Sequence, residues 1–292
     1  MSGPDEELEL EASRAPLMEH LTELRGRLII CVAAMAVAFV FCFAFSSKIY
    51  LFLLEPFSLA TRLMAARQGG ASHGPFDLLF ALAQLREAPP ESQALRLVFT
   101  APLEFFFTKL KLAGFGAIML TFPVIAWQLY RFVAPGLYRR ERRAFLPFLM
   151  AAPVLFGLGA AMVYFIMLPF ILWFSLSQQI AGPVSVELLP KVSDYLSLVT
   201  TLLLAFGLCF QLPVVLSLMG LAGIVNSKVL RSGRRYAIVG VVVVAAIVTP
   251  PDPISQLLLA LPMVLLYEVS IWCVRLIEGR RDREDAATPV VA

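Results

Sequence analysis

Long uncharged apolar segments separated by short charged segments dominate the chain. The uncharged run from 28 to 47 continues past Lys48 to Leu54, and similar runs follow further along. About 20 consecutive apolar residues suffice for a helix to cross a bilayer. The pattern therefore predicts an all-α, polytopic membrane protein with six transmembrane helices, at about 28–54, 104–131, 145–174, 192–222, 235–249 and 254–277.

The last two predicted spans are short. Thirteen uncharged residues, 236–248, precede the segment TPPDP at 249–253, whose three prolines cannot continue a helix. Thirteen helical residues rise about 20 Å, against about 30 Å for the hydrocarbon core. The next span reaches Glu268 only fifteen residues after Pro253. We expect a hairpin of two short helices that thins the bilayer or leaves a wedge in the protein.

The basic residues predict the orientation. Arginines cluster before the first span, in the second and fourth connections and in the tail, whereas the third connection has only Lys191 and the fifth has none. Basic residues mark cytoplasmic loops, so both termini are expected in the cytoplasm. The outer loop 57–100 is long enough to be translocated despite its arginines. We expect an amphipathic helix at 76–85 within it, a disordered acidic tail at 1–16 and a cytoplasmic tail at 278–292.

Composition supports a membrane protein and offers little for catalysis. The 292 residues are 59% hydrophobic and 15% charged, and the net charge of +3 indicates no nucleic-acid partner. The four cysteines lie in apolar runs, and the two histidines belong to no cluster with metal-ligand spacing. No GxxxxGK phosphate loop occurs. We therefore expect no enzyme activity, no cofactor and no metal site.

Two charged segments on the predicted cytoplasmic side each allow two interpretations. In MEHLTELRGRL, Met18–Leu28, Glu23 lies one helical turn before Arg27. This is either an interfacial helix with an internal ion pair or a presented carboxylate. In YRRERRAF, 138–145, Glu141 stands among four arginines. It either neutralises local charge or binds a cation at the cytoplasmic face.

Polar residues in apolar surroundings form a second set of candidates. Gln211, followed by Pro213, either bonds across to a neighbouring helix or binds a partner. Asp252 in TPPDP either stabilises a turn or acts at the outer surface. Glu104 and Glu268 either reach an interface or pair with a neighbouring cation.

Four segments together resemble the C subunit of the twin-arginine translocase. HLTELRGRL, FVAPGLYRRERR, FQLPV and TPPDPISQ occur in that family's order, and the resemblance runs from about Leu17 to Ile277. It implies a cup-shaped receptor in the bacterial inner membrane that binds paired-arginine signal peptides at its cytoplasmic face. It also implies export of folded proteins driven by the protonmotive force, single-span partner subunits of the TatA and TatB type, and a homo-oligomer within a receptor complex.

The resemblance also assigns residues. The signal-peptide positions are Glu23, Arg25, Arg27, Phe132, Leu137 and Glu141, of which the arginines are expected to orient the acids. Gln211 and Pro56 match positions for docking of partner helices, and Asp252 matches an outer-loop aspartate. Two departures stand out: Gln211 is neutral where other members carry glutamate or glutamine, and the first outer loop is longer than the family needs.

Two other classes of function compete with this interpretation. A secondary transporter or channel would use Gln211 and Glu268 along a solute pathway, but the spans show no internal repeat of the kind common in transporters. A membrane enzyme ranks third, because the sequence offers no plausible catalytic cluster.

Overall fold

The computed structural model describes the backbone of residues 4–68, 98, 101–133, 141–178, 191–248 and 253–287. Side chains are described for residues 21–62, 98, 101–132, 149–178, 191–248, 253 and 256–279. These parts of the chain are helical apart from short turns and a single isolated bridge between Val98 and Lys191. The predicted all-α class is therefore confirmed.

The described helices include both membrane spans and shorter connecting helices. They are α1 (Pro4–Ala44), α2 (Ser46–Gln68), α3 (Glu104–Val133), α4 (Glu141–Met162), a π-helical turn (Val163–Met167), α5 (Leu168–Ser177), α6 (Val192–Cys209), α7 (Leu212–Leu221), α8 (Ser227–Ser232), α9 (Arg234–Val248) and α10 (Pro253–Ala287). Among the described residues, five stretches are long and apolar enough to span a membrane: Leu21–Ala44, Glu104–Phe132, Leu149–Ser177, Val192–Leu221 and Gln256–Gly279. The third span combines α4, the π turn and α5, and the fourth combines α6 and α7.

Several predicted boundaries differ from the observed ones. The first span, expected at 28–54, ends at Ala44, because a turn at Phe45 separates α1 from α2. The tail 1–16, expected to be disordered, is helical from Pro4 onward. Its many glutamates are good helix formers, and carboxylates are favourable near a helix N-terminus. The loop expected from residue 57 begins later, because α2 continues to Gln68. The helix of the last span passes the expected end at 277 and reaches Ala287. The amphipathic helix expected at 76–85 lies outside the described residues.

The final hairpin, formed by α9 and α10, agrees with the prediction in only one of its two helices. Helix α9 has 15 residues and rises about 22 Å, so it is short, as expected. Helix α10 is not short, since it has 35 residues and its stretch Gln256–Gly279 is long enough to span a bilayer. Glu268 does not end the apolar stretch because Arg234 donates to its carboxylate over 2.8 Å. Only one side of the hairpin is therefore too short for a bilayer of ordinary thickness.

The core lies where the third and fourth spans meet α2, α3 and the final hairpin. Its most deeply buried large side chains include Phe206, Leu53, Leu112, Met167, Leu168, Leu202 and Leu259. The outward surfaces of the spans carry apolar side chains such as Val37, Val154 and Ile247, each more than two-thirds exposed in the isolated chain. A lipid bilayer covers such apolar surfaces without a free-energy penalty.

A proline inside α2 requires hydrogen-bond donors from other helices. Pro56 is buried and has no N–H, so the carbonyl of Phe52, four residues earlier, loses its helical donor. The Tyr164 hydroxyl donates to that carbonyl over 2.9 Å, and the Tyr164 ring stacks on the Phe52 ring. The Tyr195 hydroxyl donates over 2.9 Å to the next carbonyl, that of Leu53. Tyr164 lies in the π turn and Tyr195 in α6, so these bonds, here called the tyrosine clasp, join α2 to the third and fourth spans.

We predict that Tyr164→Phe and Tyr195→Phe each lower the free energy of unfolding by about 0.5–1.5 kcal/mol, because each removes a hydroxyl hydrogen bond to a backbone carbonyl of α2. Thermal unfolding of the purified chain measures this loss. Tyr236→Phe is the control, since Tyr236 is exposed. In a Pro56→Ala background the restored N–H serves the Phe52 carbonyl, so Tyr164→Phe should cost less there. Equal costs in both backgrounds would rule out the clasp.

Candidate functional site

The first group of candidate residues lies on α1, close to where the apolar stretch begins. Nε and Nη2 of Arg27 both donate to Oε1 of Glu23, and the Nε distance is 3.1 Å. The side chain of Glu23 is 37% exposed and that of Arg27 is 17% exposed. Arg25, on a different face of the same helix, is exposed. The predicted ion pair one turn apart is thus present, and its carboxylate remains accessible.

Helix α1 and helix α3 run side by side in opposite directions, as consecutive spans must. They approach closely at Gly116, where an added Cβ would lie 2.9 Å from Sγ of Cys42. Glu23 lies nineteen residues before Cys42, about 28 Å along α1. Phe132 lies sixteen residues after Gly116, about 24 Å along α3 in the same direction. Glu23 and Phe132 are therefore at the same end of the helix pair.

The connection between α3 and α4 lies at the same end of the helix pair as Glu23 and Phe132. Only residues 134–140 separate Val133, the last residue of α3, from Glu141, the first residue of α4. Helices α3 and α4 pack together, and the Phe122 and Phe156 rings stack with centroids 3.9 Å apart. The backbone of Glu141 is thus at the same membrane side as Glu23. The side chain of Glu141 and all of Leu137 lie outside the described residues, as does Asp252.

Gln211 occupies the junction between α6 and α7 in the fourth span. Its Nε2 donates to the Ala152 carbonyl of α4 over 2.9 Å and lies 3.5 Å from the Gly207 carbonyl. The interhelical bond expected for a polar side chain at this depth is therefore present. Leu208 and Val215, three residues before and four after Gln211, are 60% and 48% exposed. Gln211 consequently lies at the edge of an apolar stripe that faces out of the bundle.

Two glycines determine how closely the third and fourth spans approach each other where the Gln211 side chain bonds between them. A Cβ at Gly159 would lie 2.7 Å from the Phe206 carbonyl, and one at Gly207 would lie 2.5 Å from the ring of Phe156. The third and fourth spans thus touch nearly backbone to backbone, as small residues allow in membranes. Without this close approach the Gln211 side chain could not reach a carbonyl of α4.

Pro56, the other residue assigned to docking, is buried against the core. Its effect on the structure is the missing N–H in α2, beside which the tyrosine clasp supplies donors. Neither tyrosine was singled out from the sequence, although a proline within a helix signals that donors are needed nearby. Glu55 beside it is exposed, and its Oε2 lies 3.5 Å from the Tyr164 hydroxyl.

The residues proposed for a solute pathway are engaged in separate interactions. Gln211 bonds within the third and fourth spans, whereas Glu268 of α10 pairs with Arg234 at the start of α9. Glu104 accepts from the Ala101 N–H and from the Ser193 hydroxyl, as a residue capping the start of α3 would. No group of three or more His, Cys, Asp or Glu side chains that could hold a metal ion occurs in the described part of the chain.

Comparison with known proteins identifies the family. Residues 19–262 match the family described as Sec-independent protein translocase protein (TatC). The Sec-independent protein translocase protein TatC of Magnetococcus marinus is 41% identical over 274 residues, which are 94% of this chain and 89% of that protein. The protein of the same name from Escherichia coli K12 is 33% identical over 271 residues, 92% of each chain.

A solved structure is similar over nearly its whole length. The crystal structure of the twin-arginine translocase receptor TatC superposes with a TM-score of 0.65 at 34% identity. The match covers 88% of this chain and 98% of that one. Fold and sequence therefore agree on the same family.

We predict that Gly159→Ala separates the third and fourth spans, because the new methyl group meets the Phe206 carbonyl, which cannot rotate away. The expected loss of stability is about 1–3 kcal/mol, with loss of the Gln211 bond. Gly157→Ala is the matched control, since nothing lies within 4 Å of a Cβ at that position. Thermal unfolding compares the two variants, and equal melting temperatures would contradict the proposed close contact.

Proposed function

This chain belongs to the TatC family of Sec-independent protein translocase proteins, and we propose that it acts as the receptor for paired-arginine signal peptides. The observation that carries the proposal is the accessible Glu23 carboxylate, held by Arg27 at the membrane side where α3 and α4 connect. A guanidinium donates two parallel bonds to a carboxylate and is always charged. Two signal-peptide arginines need two carboxylates, which we assign to Glu23 and Glu141.

Arg27 gives Glu23 a defined position before the signal peptide arrives. Both described nitrogen donors of Arg27 go to a single oxygen, Oε1. A carboxylate has about four lone-pair positions, so Glu23 can accept from a second guanidinium without releasing the first. We assign Arg25 to the surrounding basic surface, and Phe132 and Leu137 to apolar contacts with the peptide beyond its arginines.

The proposed orientation puts this site and both termini in the cytoplasm and the protein in the bacterial inner membrane. The support is the distribution of basic residues among the connections, which follows the rule for cytoplasmic loops. Asp252 then lies at the outer surface, in the connection between α9 and α10.

Partner subunits with a single span are proposed to dock along the stripe of Leu208, Gln211 and Val215. The stripe faces out of the bundle, and the Gln211 amide provides one polar contact in apolar surroundings. Pro56 contributes through the tyrosine clasp, which positions α2. The short α9 leaves part of the bilayer thickness uncovered nearby, where a partner helix can lie. Assembly with these subunits and further copies of the chain would export folded proteins, driven by the protonmotive force.

We expect Glu23→Ala and Glu141→Ala each to weaken photocrosslinking to a twin-arginine signal peptide in membranes by roughly ten- to a hundredfold, which corresponds to one charged hydrogen bond. Glu268→Ala removes a carboxylate elsewhere and should crosslink like wild type. Unchanged crosslinking in both site variants would overturn the assignment.

For the docking stripe, we expect a photoreactive residue at position 215 to crosslink to single-span partners, and Gln211→Leu to shift or abolish that product. A probe at position 154, exposed on the third span, tests whether any outward apolar surface gives the same product. Wild-type crosslinks and full export by Gln211→Leu would exclude Gln211 from docking.

A further inference from the structure

A surface distinct from the signal-peptide and docking sites is formed by α8 and the start of α9. Lys228, Arg231 and Arg235 are exposed there. Ile224, Val229 and Tyr236, between and beside them, are 70%, 58% and 68% exposed. We call these six residues the basic corner. Cations interleaved with exposed apolar side chains are typical of segments that lie at a membrane surface.

The corner is fixed to α10 by contacts on its opposite face. The Ser227 N–H donates to Oε1 of Glu278 over 2.8 Å, and the Ser227 hydroxyl donates to Oε2. The Tyr267 hydroxyl donates to the Leu230 carbonyl over 2.8 Å. Leu230 is buried together with Ile271 and Val274 of α10. These contacts leave one face of α8 pointing away from the protein.

The geometry of α8 itself is also held. The Asn226 side chain accepts from the Val229 N–H over 2.8 Å, capping the helix. Gly223, in the preceding turn, has φ of 69°, a conformation that favours glycine. Lys228 and Arg231 on α8 and Arg235 at the start of α9 are therefore carried on helices of defined position.

No carboxylate of the described side chains neutralises the charge of the corner. Two described carboxylates close to it are already engaged, since Glu278 accepts from Ser227 and Glu268 pairs with Arg234. Lys228, Arg231 and Arg235 form no ion pair with any described residue, and Arg235 lies over the Tyr236 ring at 4.8 Å. Three cations close to a bilayer surface attract anionic groups on that surface.

We propose that the basic corner binds the phosphate headgroups of anionic phospholipids, with Ile224, Val229 and Tyr236 inserted among the acyl chains. The lipid is favoured over a protein partner because exposed basic residues alternate here with exposed apolar ones, which matches a surface with anionic headgroups above acyl chains. A bound headgroup would hold α8 at the membrane surface and so fix the depth of α9, which is too short to set its own depth.

The test measures lipid binding to the full chain by native mass spectrometry, with phosphatidylglycerol as the anionic probe and phosphatidylcholine as the zwitterionic one. Lys228→Gln/Arg231→Gln/Arg235→Gln should weaken phosphatidylglycerol binding by up to about fivefold per charge removed and leave phosphatidylcholine binding unchanged. The single changes Arg231→Gln and Arg231→Lys test the same charge in a less perturbed protein. Arg231→Gln should weaken phosphatidylglycerol binding, whereas Arg231→Lys should retain it.

Lys48→Gln/Lys111→Gln/Lys191→Gln is the control, because it removes three exposed charges away from the corner. It should bind phosphatidylglycerol like wild type. The proposal is overturned if the corner variant keeps its preference for phosphatidylglycerol, if the control loses it equally, or if Arg231→Lys loses as much as Arg231→Gln. Loss of partner crosslinking with unchanged lipid binding would assign the corner to a protein and likewise overturn it.

Discussion

Every polar backbone group that a membrane protein exposes by bending a helix must find a partner inside the protein, since the hydrocarbon supplies none. Buried backbone groups have the same requirement in any packed part of a protein, and it explains the contacts at Pro56. The proline removes one N–H from α2, and two tyrosine hydroxyls from the third and fourth spans donate to the carbonyls of Phe52 and Leu53. The same two spans meet at Gly159 and Gly207, and Gln211 bonds across that contact. Helix α2 packs with the third and fourth spans into one unit, which α3 and the final hairpin also contact.

Two charged surfaces of the protein lie outside this packed unit. At the end that holds Glu23, the carboxylate is accessible and already oriented by an arginine one turn away. On the α8–α10 side the described carboxylates Glu268 and Glu278 are engaged, and the cations of the basic corner pair with no described carboxylate. The two surfaces thus have opposite preferences: one offers an acid to guanidinium groups, and the other offers cations to phosphates. A receptor that handles basic signal peptides at an anionic membrane surface needs these two preferences kept apart.

The sequence predicted the helical class, the Glu23–Arg27 pair and the short α9 because each depends on local pattern: apolar run length, i to i+4 spacing and proline. It did not predict the tyrosine clasp, which joins residues more than a hundred positions apart. The sixth span was expected to be short because Glu268 was counted as its end, whereas its partner Arg234 comes from another helix. The acceptor of the Gln211 bond, Ala152, is likewise set by helix packing. The sequence pattern could therefore not predict contacts between residues that lie far apart in the chain.

The central claim is that carboxylates at the cytoplasmic surface recognise guanidinium groups by their paired hydrogen bonds and not by charge alone. Equilibrium binding of signal peptides with paired arginines and with paired lysines tests it, measured for the reconstituted wild type and for Glu23→Ala/Glu141→Ala. We expect the wild type to prefer the arginine peptide and the double variant to bind both peptides with the same weak affinity. An undiminished preference for arginine in the double variant would contradict the account.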